Sequence, residues 1–325
     1  MSRDDTLAFW IAAPGRGELR REALPVPAAG EASVRTLYSG VSRATEATVF
    51  GGHVPVGEYA RMRAPFQAGE FPAPVKYGYS SVGQVMVGPP DLAGRHVFCL
   101  YPHQQRYVVP CAALYLLPAS VPAARAVLAA NLETALNGLW DSGAGPGDRI
   151  AVIGAGSIGC LVAWLAARIA GCEVELVDIN PVRVAIARAL GVRFALPDDA
   201  TPEADIVLHA SGSGDGLSLG MRLAGFEATI VELSWYGDRT VTLALGETFH
   251  ARRLTLKSSQ VGTVAESHRA RWNLRRRLEL ALSLLTDPAL DALINSEGRF
   301  EELPQTLERI AHTPGDVIMH RVRYD

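Results

Sequence analysis

The pattern of apolar and polar positions changes once along the chain, close to Pro122. Before that residue, short β-rich runs alternate with glycine and proline, at 33–38, 81–87, 96–100 and 107–109. This spacing predicts an all-β domain. After it, apolar periods of helical spacing alternate with β-rich runs at 149–153, 173–177, 206–209 and 229–233. Alternating strands and helices predict a parallel sheet.

The last part of the chain predicts a helix that carries several arginines. It follows a strand-like run at 254–262, and leucines recur at helical spacing among Arg271, Arg275, Arg276 and Arg277. We interpret these arginines as the solvated face of a helix rather than a site for a polyanion. The tail is too short for a domain of its own, so we expect it to pack against the first domain. The expected segments are 1–122, 123–262 and 263–325.

Composition narrows the class of protein. With 325 residues, of which 48% are hydrophobic, and a formal net charge of −3, the chain can bury a large core and gives no indication of nucleic-acid binding. The segment MSRDDTLAFW lacks the order of a secretory signal, so we expect a cytoplasmic protein. The apolar stretch 151–171 contains several glycines and Arg168, which favours a buried strand, turn and helix over a membrane span. The four cysteines form no CxxC pair, so we expect reduced thiols.

The strongest local motif is a glycine-rich segment, Gly154-Ala155-Gly156-Ser157-Ile158-Gly159, between an apolar strand and an Ala-rich helix. In such a motif Gly154 permits a tight turn, Gly156 lets the backbone approach a pyrophosphate, and Gly159 lets helix and strand pack closely. The N–H groups of Ser157, Ile158 and Gly159 would face the phosphates, assisted by the helix dipole. The segment predicts a dinucleotide-binding unit.

An acidic residue at the end of the next strand indicates which dinucleotide binds. Asp178 lies 24 residues after the first glycine of the motif. A carboxylate there accepts hydrogen bonds from two ribose hydroxyls and repels a 2′-phosphate, so NAD is preferred over NADP. Asn180 and Pro181 predict the start of the following helix and Gly191 predicts its end. Arg183 leaves open that a phosphate is tolerated.

Polar and aromatic residues follow two later strands of the predicted parallel sheet. Ser211 follows the strand at 205–209, and Trp235 and Tyr236 follow the strand at 228–233. Both strands end at the edge of the sheet where a cofactor would lie. We therefore expect Ser211 to contact the cofactor, and Trp235 and Tyr236 to line a substrate pocket, with core packing as the alternative for the two aromatic residues.

The order of these parts resembles the medium-chain dehydrogenase/reductase family. The resemblance rests on 39–46 (SGVSRATE), 76–83 (KYGYSSVG), the glycine motif with Asp178, and 258–262 (SSQVG). It implies an α/β protein in which a GroES-like β domain precedes a doubly wound Rossmann domain with a parallel sheet, and in which the chain end returns to the first domain. It also implies that Gln260 contributes to the cofactor site, that the substrate is a small molecule, and that the protein is a homodimer or homotetramer.

The sequence departs from the zinc-dependent alcohol dehydrogenases of this family at all three ligand positions. Ser42 stands where the first cysteine is expected, Tyr79 and Ser80 stand where His-Glu is expected, and Ala130 stands where the third ligand is expected. Without thiolates or an imidazole at these places, the usual tetrahedral zinc site cannot form. The resemblance therefore implies a zinc-independent member.

Without zinc, a protein group must donate to the substrate oxygen during hydride transfer. Tyr79 is the first candidate, and His103 is the second because an imidazole exchanges protons near neutrality. Glu46 would orient a substrate hydroxyl or a histidine, or form a helix cap or a surface ion pair. Asn131 and Glu133 are candidates for the substrate pocket, with a role at a helix start as the alternative. A metal site improvised from Glu46, His103 and Glu133 also stays open.

These observations predict a zinc-independent, NAD-dependent oxidoreductase. We expect an alcohol dehydrogenase or ketone reductase with a fairly large polar or cyclic substrate. A quinone or enoyl double-bond reductase is the second hypothesis, although such members of the family mostly prefer NADP, against which Asp178 argues. The third hypothesis is a redox sensor that binds NAD without turnover.

Overall fold

The computed structural model describes residues 5–313 and 315–324. Their strands are β1 (Asp5–Ala13), β2 (Arg16–Ala23), β3 (Glu31–Val41), β4 (Ala68–Gly69), β5 (Val75–Lys76), β6 (Ser81–Val87), β7 (His96–Cys99), β8 (Arg106–Pro110), β9 (Tyr115–Leu116), β10 (Arg149–Ile153), β11 (Glu173–Val177), β12 (Arg193–Ala195), β13 (Ala204–His209), β14 (Ala224–Glu232), β15 (Thr255–Ser258), β16 (Ser296–Arg299) and β17 (His320–Arg323). Their α-helices are α1 (Arg43–Phe50), α2 (Ala129–Ser142), α3 (Ser157–Ala166), α4 (Val184–Leu190), α5 (Gly214–Leu223), α6 (Leu274–Leu284) and α7 (Leu303–His312). Short 3₁₀ or π turns lie at Val56–Glu58, Cys111–Ala113, Ala126–Leu128, Pro181–Arg183, Pro197–Asp199, Leu245–Phe249, Pro288–Leu293 and Phe300–Glu302.

The chain forms two compact units. The first contains the described residues up to Ala130 and those from Leu282 onward, and the second is Asn131–Ala281. We had expected the boundaries at 122 and 262, so the second unit begins and ends later in the sequence than the pattern indicated. The difference arises because α2 and the first part of α6 are joined by buried polar contacts, which keep both segments in the second unit.

The first unit is built around one long strand. β3 pairs along one edge with β6, while its other edge pairs first with β8 and then with β17. The sheet order is β16-β17-β3-β6-β7-β9, and a second sheet has the order β2-β1-β5-β4. Apolar side chains of β3, β6, β7 and β8 form a buried cluster that includes Val34, Val85, Val97 and Tyr107. The β-rich pattern of the first 120 residues therefore predicted this unit correctly.

The second unit is a six-stranded sheet with the order β12-β11-β10-β13-β14-β15, and all its pairings are parallel. The chain passes from β10 outward to β12 on one side and from β13 outward to β15 on the other. The strand order therefore reverses between β10 and β13, the position at which open parallel sheets bind ligands. This architecture confirms the predicted α/β class with a doubly wound parallel sheet.

The arginine-bearing segment differs from its predicted role at one residue. Arg275 is exposed and pairs with Glu279 at 2.9 Å, as a solvated helix face requires. Arg277 is only 1% exposed, and its guanidinium contacts Glu133 at 3.1 Å and also Asn137. The prediction of a solvated face is therefore wrong for Arg277. Its guanidinium can be buried because the buried carboxylate of Glu133 compensates its charge. Within the described residues, no helix is long and apolar enough to cross a membrane.

Candidate functional site

The glycine motif forms the tight connection between β10 and α3. Gly154 has a φ of +102°, and a Cβ there would lie 2.6 Å from the Cα of Ser211. A Cβ on Gly159 would lie 1.8 Å from the carbonyl oxygen of Gly154. Both glycines are thus required by the fold itself, the first by its backbone conformation and the second by close packing of strand against helix.

Gly156 is different, because nothing in the protein prevents a side chain there. Its φ is −80°, and a Cβ would have no described atom within 4 Å. It precedes α3, whose first N–H groups at Ser157, Ile158 and Gly159 have no intrahelical acceptor by the geometry of an α-helix. The glycine therefore leaves open space directly in front of a helix N-terminus, which is where a phosphate group binds favourably.

Asp178 follows β11 at the same edge of the sheet. Its Oδ2 accepts the N–H of Ala155 at 2.6 Å and its Oδ1 accepts the N–H of Asn180 at 2.8 Å. The carboxylate is fixed against the glycine loop, and each oxygen keeps a lone pair for a ligand hydroxyl. Asn180 caps the next turn by accepting the N–H of Val182, and Gly191 ends α4 with a φ of +72°, as the sequence predicted.

Arg183, because of which the sequence left open that the 2′-phosphate of NADP is tolerated, is buried, with a relative exposure of 6%. Burial raises the pKa of the Cys160 thiol, and the positive charge of Arg183 acts in the opposite direction, so the guanidinium lies close to Cys160 on α3. An arginine that accommodates a 2′-phosphate has to present its guanidinium to the ligand. Arg183 therefore presents little of its surface to a ligand.

The ends of β13 and β14 carry a group of polar residues that the sequence did not reveal in full. Ser211 is exposed, and its Oγ lies 2.6 Å from Nε2 of His209. Nδ1 of the same ring lies 2.8 Å from a carboxylate oxygen of Glu232, which also accepts the hydroxyl of Tyr236 at 2.9 Å. Ser211 and Tyr236 had been predicted as site residues, whereas His209 and Glu232 had not. The only signal in the sequence was their position at the ends of two neighbouring parallel strands.

The two residues of α2 predicted for the substrate pocket are both buried. Asn131 donates from its amide to the Oγ of Ser157 at 3.0 Å and so contacts the first residue of α3. Glu133 is 5% exposed and forms the ion pair with Arg277. Burial raises the pKa of Glu133, and the charge of Arg277 offsets part of this effect. We therefore correct the assignment of Glu133 from a pocket residue to a partner of a buried cation.

The remaining predicted residues of the second unit lie near its surface. Trp235 is half-buried after β14. Gln260 is exposed after β15, and its side-chain oxygen accepts the N–H of Gly262 at 2.6 Å. Both residues therefore stay accessible to a ligand of this unit.

In the first unit, Glu46 and His103 form a buried pair. Nε2 of His103 lies 2.8 Å from an Oε of Glu46, and the two side chains are 1% and 3% exposed. Nδ1 of His103 lies 2.7 Å from the Oγ of Ser39, which in turn lies 2.9 Å from the hydroxyl of Tyr324. A carboxylate only accepts, so Nε2 carries the proton and Nδ1 accepts from Ser39. His103 has no exposed surface for a substrate, and we revise its role from proton carrier to support.

The other oxygen of Glu46 fixes the start of α1 by accepting the N–H of Ser42 at 2.8 Å. The predicted alternatives of a histidine partner and a helix cap are thus combined in one side chain. Among residues 5–313 and 315–324, no group of three or more His, Cys, Asp or Glu side chains is arranged to hold a metal ion. The improvised site of Glu46, His103 and Glu133 is therefore not formed.

Tyr79 is half-buried beside this pair. Burial raises the pKa of Tyr79 to about 12, the negative charge of Glu46 acts in the same direction, and hydrogen bonds with Ser42 and Thr45 oppose them. Its ring packs edge-on against Tyr77 with the centroids 6.0 Å apart. Tyr79 therefore remains a neutral phenol at physiological pH, able to donate a hydrogen bond.

Comparisons with known proteins bear on the whole arrangement. A family model described as ketopantoate reductase PanE/ApbA matches residues 150–213, the segment that contains the glycine loop, Asp178 and Ser211. L-threonine 3-dehydrogenase of Sinorhizobium medicae (strain WSM419) is 34% identical over 79 residues, which is 24% of this chain and 23% of that protein. D-guloside 3-dehydrogenase of Escherichia coli (strain K12) is 24% identical over 312 residues, covering 86% of this chain and 88% of that protein. The chain thus spans only about a quarter of the L-threonine 3-dehydrogenases that it matches.

Solved structures match over the full length. L-idonate 5-dehydrogenase of Escherichia coli K-12 MG1655 has a TM-score of 0.80 at 14% identity and covers 98% of both chains. The chain has the fold of the medium-chain dehydrogenase/reductase family. Two further solved structures that match this chain hold cofactors. A Sinorhizobium meliloti 1021 dehydrogenase bound to NADP has a TM-score of 0.78 at 16% identity, covering 99% of this chain and 100% of that chain. A protein of Escherichia coli CFT073 named as a short chain alcohol dehydrogenase, complexed with NADH, has a TM-score of 0.77 at 15% identity, covering 98% of this chain and 99% of that chain.

At these identities, the solved structures establish the medium-chain dehydrogenase fold and confirm the resemblance that the sequence motifs indicated. One of these structures is bound to NADP and another to NADH, so a preference between the two cofactors has to come from this chain's own residues.

Proposed function

We propose that this protein is an NAD-dependent oxidoreductase that transfers a hydride between nicotinamide and an alcohol or ketone. The observation that carries the proposal is the open space at Gly156 in front of α3. Gly154 and Gly159 are explained by the fold, but a glycine at 156 is explained only by a group outside the protein that has to approach the backbone. A pyrophosphate is such a group.

The preference for NAD over NADP rests on Asp178. Its two oxygens are held by backbone N–H groups at 2.6 and 2.8 Å, so the negative charge cannot turn away from a ligand. A ribose diol donates to a carboxylate, whereas a 2′-phosphate is repelled by it. The burial of Arg183 leaves no compensating role for that guanidinium at the ligand.

The chain's own residues have to control the substrate oxygen. When NAD is bound, it supplies the hydride acceptor, and the corresponding reduced form supplies the hydride. Tyr79, protonated because its pKa is raised to about 12, would donate a hydrogen bond to the carbonyl oxygen or to the developing alkoxide. Glu46 and His103 act as positioning residues, since their buried pair holds the N–H of Ser42, and the side chain of Ser42 is hydrogen-bonded to Tyr79.

The proposed mechanism does not use zinc. Ser42, Tyr79, Ser80 and Ala130 occupy the positions at which the family's zinc enzymes have ligands, and alkyl or neutral hydroxyl groups are poor ligands for Zn²⁺. A hydrogen-bond donor therefore replaces the metal as the group that polarises the substrate oxygen.

The substrate class proposed is a fairly large polar or cyclic alcohol or ketone. The similar dehydrogenases are named for L-threonine, D-guloside and L-idonate, which are all polar hydroxyl compounds. Trp235 and Tyr236 are half-buried after β14 and offer aromatic faces to such a substrate. We also infer that the protein is cytoplasmic and that it forms a homodimer or homotetramer. Size-exclusion chromatography with light scattering would test the oligomeric state.

The first experiment combines NADH and NADPH titrations with one variant of the glycine loop. Gly156→Ala places a methyl group where the protein has no atom within 4 Å and where φ is −80°, so the thermal midpoint should not change. The same methyl group would block the approach of a pyrophosphate. We expect NADH to bind more tightly than NADPH, and Gly156→Ala to weaken NADH binding by about tenfold or more.

Asp178→Ser is the companion variant for cofactor choice. Removing the carboxylate should weaken NADH binding and narrow its advantage over NADPH, while zinc analysis of the same sample should find well below one metal per chain. If Gly156→Ala binds NADH as the parent protein does, the pyrophosphate assignment is wrong. If NADPH binds more tightly than NADH, the role of Asp178 is wrong.

A further inference from the structure

The second unit contains a serine, a histidine and a glutamate in one hydrogen-bonded row. The Oγ of Ser211 lies 2.6 Å from Nε2 of His209, and Nδ1 of His209 lies 2.9 and 2.8 Å from the two carboxylate oxygens of Glu232. His209 is fully buried, whereas Ser211 is exposed. The row thus connects a buried negative charge to a hydroxyl at the surface of the unit.

The carboxylate end of the row is strongly held. Glu232 also accepts the N–H of Ser234 at 2.7 Å and the hydroxyl of Tyr236 at 2.9 Å. Burial raises the pKa of Glu232, but hydrogen bonds, first that from His209 and then those from Ser234, act in the opposite direction, and the pKa is lowered overall. Because the ionised carboxylate can only accept, Nδ1 of His209 carries a proton, and in the tautomer with that single proton Nε2 accepts the hydroxyl proton of Ser211.

The exposed end of the row is therefore an acceptor. With its own proton committed to His209, Ser211 offers its Oγ lone pairs outward, where the N–H of Ser213 already takes one of them at 3.2 Å. A Cβ on Gly216 would lie 2.3 Å from this Oγ and 3.0 Å from Nε2 of His209, so α5 is built to cover the bond between the two residues. A cavity of about 300 Å³ lies beside the loop that follows Ser211 and is lined by Gly212, Gly214 and Tyr236, among others.

The position of the row in the sheet indicates which ligand group it meets. Asp178, proposed to hold the adenosine ribose, follows β11 on one side of β10, and Ser211 follows β13 on the other side. The backbone of Ser211 packs directly against Gly154 of the glycine loop. A dinucleotide whose pyrophosphate lies at that loop would have its second ribose on the β13 side.

We propose that Ser211, backed by His209 and Glu232, is an acceptor site for a hydroxyl of the ribose next to nicotinamide, which rests on the proposed function because it requires the dinucleotide. Ser211 contacts the ligand, and His209 and Glu232 act through it as positioning residues. An acyl-transfer role, which the same three residue types perform elsewhere, is not supported. The nearby N–H groups of Gly212 and Ser213 donate to serine hydroxyls rather than toward an oxyanion.

The test compares NADH with ADP, which lacks the second ribose. Ser211→Ala removes one exposed hydroxyl with its hydrogen bonds to His209 and to the N–H of Ser213 but no apolar packing, so the variant should fold. We expect it to bind NADH about three- to tenfold more weakly, as for one lost hydrogen bond, and to bind ADP as the parent protein does. Ser213→Ala is the matched control, because it removes a hydroxyl from the same loop that is not bonded to His209, and it should leave both affinities unchanged.

A double-mutant cycle separates positioning from a general structural effect. His209→Gln should weaken NADH binding in the parent protein but cause no further loss in the Ser211→Ala background. If the buried substitution prevents folding, Ser211→Ala and its control still decide the proposal. Unchanged NADH affinity in Ser211→Ala, or an equal loss for ADP, would overturn the acceptor site alone. Failure of the parent protein to bind either nucleotide would overturn the proposed function and the acceptor site with it.

Discussion

The buried ion pair between Arg277 and Glu133 gives the sharpest prediction about stability. The guanidinium also donates to Asn137 and to the carbonyl oxygens of Val261 and Thr263. Arg277→Met preserves the length of the side chain but leaves a buried carboxylate without its cation and removes the donor from three further acceptors. Breaking a buried pair from one side costs about 3–5 kcal/mol, which is a roughly hundred- to several-thousandfold change in the folded-to-unfolded ratio.

Urea unfolding followed by tryptophan fluorescence is a suitable assay. Four of the five tryptophans, at 140, 164, 235 and 272, belong to the unit that contains the ion pair. The free energy of unfolding of Arg277→Met should fall by the amount above at pH 7. The double variant Arg277→Met with Glu133→Met should recover about half or more of the loss, because the orphaned charge is then absent.

The dependence on pH tests the electrostatic origin of the effect. Burial raises the pKa of Glu133 even beside Arg277, and without the arginine the opposing effect on this pKa is lost. The cost of the buried charge is present above the folded-state pKa and is relieved as the pH falls and the carboxyl group protonates. The deficit of Arg277→Met should therefore be smaller at pH 5 than at pH 8. A deficit below about 1 kcal/mol, or one that is equal at both pH values, would refute the reasoning.

Three further predictions concern other positions. Gly154→Ala should destabilise the protein by about 1–3 kcal/mol or more, because φ is +102° and a Cβ would lie 2.6 Å from the Cα of Ser211. A thermal midpoint equal to that of Gly156→Ala would contradict this prediction. Burial, then the charge of Arg309, lowers the pKa of His320 to about 4, so the free energy of unfolding should decline by about 1.4 kcal/mol per pH unit as the pH falls from about 6.5 to 4. His320→Gln should lack this slope in urea unfolding, and parallel profiles would disprove the assignment. Tyr79→Phe should lower the kcat of ketone reduction about a hundredfold with NADH affinity unchanged, and an unaltered kcat would exclude Tyr79 as the donor.

The elements that the sequence predicted best are those whose signal is local. The runs 81–87, 149–153 and 173–177 are strands at just those residues, because each apolar run is bounded by turn-forming residues. The glycine loop and Asp178 were also found, since backbone conformation, close packing and a strand-end carboxylate are each encoded within a few positions. The parallel pairing of the second sheet was predicted from the alternation of strand and helix.

The parts that the sequence did not predict depend on partners distant in the chain. Arg277 has the helical spacing of a surface residue, and only its contact with Glu133, 144 residues earlier, accounts for its burial. His209 and Glu232 are hidden in β-rich runs that look apolar from their neighbours, yet they meet side by side in the parallel sheet. His103 was predicted to exchange a proton with the substrate, because no local pattern indicates that the residue is buried beside a carboxylate on α1.

The position of β17 determines which of the two units is completed first during synthesis. This strand is inserted between β16 and β3, so it is an interior strand of the first unit although it is synthesised after the whole second unit. On the ribosome, the second unit has all six of its strands while residues 38–41 of β3 still lack a partner on the edge that β17 will occupy. The residue after β17, Tyr324, also closes the hydrogen-bonded row that ends at His103. The nascent chain therefore exposes an aggregation-prone edge until its last strand emerges, and the unit translated first is the one completed last.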